Sequence, residues 1–133
     1  MKVVKVIKVV NGDAAAGHRV ILERAELAEN FLHRLKGLLG RKELPPGRGL
    51  VIRPCWSIHT LGMAFPIDVG FADESGRLCL VVENLPPGKL GVTARDARYV
   101  IEAPAGTFAA AGVKQGDQVA LEELEETDST QPV

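Results

Sequence analysis

The segment FPIDVGFADESGRLCLVVE, residues 65–83, decides the fold. Apolar residues alternate with others through its first half, on a face formed by Phe65, Ile67, Val69 and Phe71. Because successive side chains of a strand point to opposite faces, this period of two predicts a β-strand. A turn-forming stretch, Asp73-Glu74-Ser75-Gly76, separates it from a second alternating run over residues 77–83. The segment therefore predicts a β-hairpin.

Shorter runs with β-strand composition lie on both sides of this hairpin. β-Branched residues dominate residues 3–10, and Asn11-Gly12-Asp13 follows as a turn signal before a returning run at residues 18–22. Further runs cover residues 98–103 and 118–121. About seven short strands and one helix predict an α+β fold that is mainly antiparallel β and barrel-like.

The apolar period changes to that of a helix after the second run. Four apolar residues lie four, four and three positions apart, namely Leu27, Phe31, Leu35 and Leu38. Such spacing places them in one stripe of an amphipathic helix. The stretch Pro45-Pro46-Gly47 prevents a helix from continuing. The sequence therefore predicts one main helix over about residues 25–37.

Length and composition indicate one domain. The 133 residues are 46% hydrophobic and 25% charged, which is ordinary for a globular protein with one core. We predict a single domain over residues 1–122, followed by an acidic tail, residues 123–133, that we expect to be disordered.

Charge is distributed unevenly along the chain. Residues 1–53 hold 11 Lys and Arg against 5 Asp and Glu, whereas residues 54–133 hold 5 against 12. This basic bias falls short of the dense stripe typical of phosphate binding, so no nucleic-acid partner is supported. The uneven charge also leaves open an alternative function, in which this is an interaction protein whose basic N-terminal half contacts an acidic partner. Lys2, Lys5 and Lys8 themselves predict a solubilised edge strand.

The expected compartment is the cytoplasm. No run approaches the roughly 20 apolar residues that cross a bilayer, and the N-terminus lacks the order of charge and apolar residues found in a secretory leader. In a reducing compartment Cys55 and Cys79 are expected to be free thiols. The glycines form no phosphate-binding loop, and we expect no cofactor. The lack of a membrane-crossing run predicts no membrane association.

The candidate functional segment runs from Cys55 to Met63. It concentrates the single Trp, a Cys, a His and two hydroxyl groups between apolar strands. Such groups are costly to bury unless their polar atoms find partners. We predict a small binding domain whose polar face, in residues 55–68, takes a small polar ligand or a protein partner. The proposed binding residues are Trp56, His59, Thr60 and Asp68.

A purely structural loop also stays open for this segment, in which His59 and Thr60 hydrogen-bond backbone amides and Asp68 caps a turn or pairs with an arginine. Two other types of chemistry stay open as well. Cys55 activated by His59 and oriented by Asp68 would make a hydrolase or transferase with a reactive thiol at Cys55. A metal site is poorly supported, because a structural zinc needs four ligands and the chain has no CxxC or HxxxH pattern. We therefore predict no metal, assign no catalytic residue, and lean towards binding.

Several motifs resemble a known family. These are residues 37–41 (GLLGR), 58–63 (IHTLGM), 65–69 (FPIDV) and 100–106 (VIEAPAG), followed by Gly116-Asp117. In order and spacing they resemble the uncharacterised prokaryotic family called domain of unknown function 192, over about residues 20–121. The resemblance implies a compact, mostly β fold with a short helix. It implies no activity, since none is established for the family.

Overall fold

The computed structural model describes residues 2–10 and 18–124. This part of the chain forms nine β-strands and two short helices. In chain order they are β1 (Lys2–Val9), β2 (His18–Ala28), α1 (Phe31–Lys36), β3 (Arg48–Ile52), β4 (Ser57–Ile58), β5 (Ile67–Ala72), β6 (Leu78–Leu85), β7 (Val92–Thr93), β8 (Tyr99–Pro104), α2 (Thr107–Ala111) and β9 (Val119–Glu123).

Seven strands form one sheet in the order β6-β5-β8-β3-β2-β1-β9, and β4 pairs with β7 in a separate ribbon. All neighbours in the large sheet are antiparallel except β2 and β3. The two edge strands approach each other through an isolated bridge between Arg77 and Gln118, so the sheet curls into a half-barrel. The predicted α+β, mainly β, fold class is confirmed.

The hairpin predicted from residues 65–83 is confirmed as β5 and β6. Its turn is organised by Asp73, whose Oδ1 accepts hydrogen bonds from the backbone N–H groups of Ser75 at 2.9 Å and Arg77 at 3.1 Å. The Ser75 hydroxyl donates to the same oxygen, and this bond is the largest cause that lowers the pKa of the Asp73 carboxyl. The two backbone hydrogen bonds lower it further. All six residues of β5 are buried, so both faces of this strand are covered.

The predicted helix over residues 25–37 was too long. Helix α1 covers only Phe31–Lys36, and residues 25–28 belong to β2. Asn30 caps the helix, because its side chain accepts a hydrogen bond from the His33 N–H. Pairing of β2 with both β1 and β3 satisfies the backbone of residues 25–28, and this tertiary pairing overrides their helical spacing.

The prediction that the first strand lies at an edge was wrong. Strand β1 lies between β2 and β9. Two of its lysines form ion pairs, Lys2 with Glu123 at 3.4 Å and Lys8 with Asp117 at 3.2 Å. Part of the basic N-terminal charge therefore meets acidic residues near the other end of the same chain.

The β9 strand includes Glu123, which the sequence predicted to belong to the acidic tail. Residues 125–133 lie outside the described part of the chain, as does the turn predicted at residues 11–13. No helix in residues 2–10 and 18–124 is long and apolar enough to cross a bilayer.

The sheet carries a separate apolar cluster on each face. The first cluster lies on the face that α2 covers, with Ile101, Ala103 and Phe108 among its members. The second lies on the opposite face and includes Val69, Val100, Leu38 and Ile58. Leu38 and Ile58 come from the turn after α1 and from β4, so these two segments cover the second face.

Candidate functional site

The segment of residues 55–63 lies over the second face of the sheet and is fixed there by backbone hydrogen bonds. The Cys55 N–H donates to the Arg98 carbonyl at 3.0 Å, and the Ala94 N–H donates to the Trp56 carbonyl at 2.9 Å. Strand β4 pairs with β7 just beyond these contacts. These hydrogen bonds hold the backbone of residues 55–63 in place against the sheet.

Thr60 is fully buried and anchors this segment. Its Oγ1 donates a hydrogen bond to the Pro86 carbonyl at 2.7 Å and accepts one from the Lys89 N–H at 2.8 Å. The hydroxyl therefore both donates and accepts within the protein. Thr60 holds the segment to the stretch that follows β6 and presents no side-chain surface to solvent.

Asp68 is also fully buried, on the other face of the sheet. It lies opposite Ala103 in the β5–β8 register, on the side of the first apolar cluster. Its Oδ1 accepts from the Asn84 N–H at 2.8 Å, and its Oδ2 accepts from the Phe108 N–H at 3.0 Å. The carboxylate thus ties β5 to β6 and α2, away from the 55–63 segment.

A pocket of about 230 Å³ opens between the turn after α1, the 55–63 segment and β8. Its apolar wall consists of Leu38, Leu39, Ile52, Ile58 and Met63. Its polar groups come from Arg34, Lys36, Cys55, Ser57, His59 and Glu102. Of the residues singled out in the sequence, Cys55 and His59 line this pocket. Trp56 does not line it and is 53% exposed on the neighbouring surface.

Glu102 is the unusual residue of the pocket. It is 3% exposed, and no hydrogen bond or ion pair joins its side chain to any described residue. It lies opposite Val69 on β5 and so faces the second cluster. Burial raises the pKa of its carboxyl to about 7. Burial makes the ionised form of this carboxyl costly, because the surrounding protein replaces the water that would hydrate it.

Arg34 supplies a second unpartnered group to the same pocket. Its Nη1 donates to the Pro54 carbonyl at 3.2 Å, whereas its Nε is buried and has no hydrogen-bond partner among the described residues. No ion pair joins Arg34 to Glu102 within the described part of the chain.

The Cys55 thiol is held in its protonated form. Burial is the main cause that raises its pKa, and the charge of Glu102 adds to the rise, whereas the hydrogen bond to Ser57 and the charge of Arg34 oppose it. The Sγ donates to the Ser57 carbonyl at 3.2 Å, and no hydrogen bond joins it to His59 among the residues described. Thiol nucleophiles instead need a lowered pKa.

Both cysteines are free, as the sequence predicted. Burial is likewise the main cause that raises the pKa of the Cys79 thiol. Within residues 2–10 and 18–124, no group of three or more His, Cys, Asp and Glu side chains is arranged to hold a metal ion.

Sequence reasoning did not predict that Glu102 and Arg34 line the pocket. Glu102 had a detectable signal, since it is the only charged residue within the apolar run of β8. Val100, two positions earlier, faces the same way and is apolar, which indicates that this face is buried too. Arg34 gave no such signal, because a basic residue late in a helix is common.

A curled, mainly antiparallel half-barrel with a small pocket on one face defines the class of this domain. The chain belongs to the family called domain of unknown function 192, described as "Uncharacterized ACR", whose profile matches residues 11–121. The resemblance noted in the sequence is thereby confirmed.

Relatives and solved structures agree with this membership. A UPF0127 protein of Pyrococcus abyssi is 34% identical over 102 residues, which cover 72% of this chain and 84% of the relative. A protein of unknown function from Novosphingobium aromaticivorans has a TM-score of 0.75 at 25% identity, covering 89% of this chain and 84% of its own. A Sinorhizobium meliloti protein, provisionally described as a transcription regulator, has a TM-score of 0.76 over 90% of this chain and 93% of its own. At 23% identity, that last likeness shows the fold alone.

Proposed function

We propose that this protein binds a small polar ligand in the pocket between α1, the 55–63 segment and β8. The observation that carries the proposal is the unpartnered carboxyl of Glu102, buried at the pocket wall. A folded protein keeps such a group at a cost in stability, and a ligand that donates hydrogen bonds to it removes the cost.

His59 and Trp56 complete the proposed site. His59 lines the pocket and is exposed, so its imidazole can contact a ligand. Trp56 does not line the pocket, but its exposed side chain belongs to the same 55–63 segment. Thr60 and Asp68 take a different part in this proposal, because their side chains are fully buried. Thr60 supports the wall through backbone contacts, and Asp68 supports the sheet from its other face.

This geometry favours binding over thiol catalysis. The raised pKa of the Cys55 thiol, caused mainly by burial, keeps it protonated near neutral pH. It also favours a small ligand over an acidic protein partner for the N-terminal half, because Lys2 and Lys8 already pair with Glu123 and Asp117. The cytoplasmic location expected from the sequence stays a proposal, supported by the two free thiols.

The proposal is tested by screening a library of small fragments against the ¹⁵N-labelled full chain and following amide chemical shifts. We expect binders to move the signals of residues 55–59 and 38–39. The Glu102→Gln variant should bind them at least tenfold more weakly. Glu83→Gln, which changes an exposed glutamate of β6, is the matched control and should bind as the wild type does. Shifts confined to other surfaces, or binding unchanged in Glu102→Gln, would exclude this site.

A further inference from the structure

The pocket presents two unpartnered polar groups of opposite kind. Glu102 offers a buried carboxyl, and Arg34 offers a buried Nε–H, and neither has a hydrogen-bond partner among the described residues. The two side chains are close enough to Cys55 for both of their charges to act on its thiol, in opposite directions. They are nevertheless not paired with each other.

When Glu102 is ionised, the two residues attract ligand groups of opposite charge. A carboxylate accepts hydrogen bonds and attracts a cation, whereas a guanidinium only donates and attracts an anion. A ligand with a single ammonium group would leave the Arg34 Nε–H buried without an acceptor. A ligand with a single carboxylate would lie close to the Glu102 carboxyl with nothing between them. A molecule with a cationic and an anionic end matches both.

The volume of the pocket limits the size of this molecule. An engineered protein cavity of about 150 Å³ holds benzene, which has six non-hydrogen atoms. By that measure a pocket of about 230 Å³ holds a ligand of about nine non-hydrogen atoms. This is smaller than the pockets of about 300 Å³ and more that take drug-sized molecules.

The wall around the polar groups is aliphatic. Leu38, Ile52 and Ile58 are buried, and Leu39 and Met63 are partly buried beside them. Their surface is best covered by an apolar group of similar shape, because apolar contact area removed from water stabilises a complex. The ligand should therefore carry a branched or linear aliphatic part besides its two charged ends.

We propose, on the basis of the proposed binding function, that the ligand is a small aliphatic α-amino acid, or a zwitterion of the same size. Its ammonium group contacts the carboxyl of Glu102, its carboxylate accepts from Arg34, and its side chain packs on the Leu38, Ile52 and Ile58 wall. L-Valine, with eight non-hydrogen atoms, is the representative probe.

The test compares L-valine with two analogues that each lack one charged end. Isobutylamine keeps the ammonium and the side chain, and isovalerate keeps the carboxylate and the side chain. Each is titrated into the ¹⁵N-labelled full chain while the amide signals of residues 38–39 and 55–59 are followed. We expect L-valine to bind at least tenfold more tightly than either analogue.

Two variants assign the two ends of the ligand. Glu102→Gln should weaken L-valine and isobutylamine at least tenfold and should not weaken isovalerate, because it removes a charge of the same sign as the isovalerate carboxylate. Arg34→Gln should weaken L-valine and isovalerate and should not weaken isobutylamine. Glu83→Gln and Arg48→Gln change exposed residues outside the pocket and should match the wild type. The analogue series on the wild type keeps the test decisive if a variant fails to fold.

Three results would overturn the inference. If isobutylamine or isovalerate binds as tightly as L-valine, one of the two polar groups takes no part. If none of the three binds while another fragment occupies the pocket in a Glu102-dependent way, the ligand class is wrong and the proposed binding function remains. If no compound of any class perturbs the pocket, the binding function and the inference both fail.

Discussion

Asp68 and Glu102 are two buried carboxyl residues on neighbouring strands, and they differ in almost everything else. Asp68 faces the first apolar cluster and accepts a hydrogen bond on each oxygen from a backbone N–H. Glu102 faces the second cluster and has no partner among the described residues. The first carboxylate links β5 to β6 and α2, whereas the second lines a pocket. Burial alone therefore does not distinguish a structural acid from the acid that we propose binds a ligand. The state of its hydrogen bonds does.

The largest expected effect comes from removing the satisfied carboxylate. Asp68→Ala leaves the N–H groups of Asn84 and Phe108 without their acceptor. Each loss of this kind costs about 1 to 3 kcal/mol, so we expect the free energy of unfolding to fall by about 4 kcal/mol. Urea denaturation followed by circular dichroism measures it.

Glu102→Gln at pH 5 is the matched comparison for this first prediction. Both the protonated carboxyl and the amide are neutral there, so we expect a change of less than about 1 kcal/mol. Equal losses in the two variants would contradict the distinction between the two acids.

The next effect is a loss of stability with rising pH that we attribute to Glu102. Burial raises its pKa in the folded protein to about 7 from an ordinary 4.5. Between these values the folded protein holds a proton that the unfolded chain has lost. The stabilising contribution is thus fully present below about pH 4.5 and is lost as the pH rises through about 7.

Comparison with Glu102→Gln, which lacks the titrating carboxyl, measures this effect. Between pH 4.5 and 8.5 we expect the free energy of unfolding of wild type, relative to Glu102→Gln, to fall by about 3 kcal/mol. Other carboxyls, including Asp73, contribute equally to both proteins and cancel. Glu83→Gln should show no such trend. A flat difference curve for Glu102→Gln would mean that its carboxyl is paired or solvated.

We expect a smaller loss of stability when Thr60, which anchors the 55–63 segment, is replaced. Thr60→Val keeps the shape of the side chain but removes the hydrogen bonds to Pro86 and Lys89, so we expect a loss of about 2 kcal/mol in urea denaturation. Ser57→Ala, which removes only an exposed contact between hydroxyls, should change stability by less than about 0.5 kcal/mol. A Thr60→Val protein as stable as Ser57→Ala would show that Thr60 does not anchor the wall.

The smallest expected effect concerns the thiols. Burial is the main cause that raises the pKa of both Cys55 and Cys79 above the ordinary 9.0, so iodoacetamide should modify each slowly, at a rate still rising with pH at about pH 9. The single-thiol proteins Cys79→Ser and Cys55→Ser measure them separately, and we expect rates within about threefold of each other. A Cys55 rate ten times faster that levels off below pH 8 would restore the thiol enzyme as the better hypothesis.

The sequence alone determined the local elements whose pattern is strong. The period of two over residues 65–71 and the turn at residues 73–76 specify a hairpin wherever it packs, because alternation and turn geometry are properties of the nearby chain. It also drew attention to residues 55–63, because their polar side chains stand out between apolar strands. The family resemblance followed from motifs in these regions and from others at residues 37–41, 100–106 and 116–117.

Only the tertiary structure decided which buried groups have partners. Residues 25–28 became part of β2 because strands distant in the chain pair with them on both sides. Thr60 and Asp68 found their partners 16 to 40 residues away, and Glu102 found none among the described residues. A sequence specifies the polar groups that a chain contains. Their partners depend on long-range packing, which brings together or keeps apart residues that no local pattern connects.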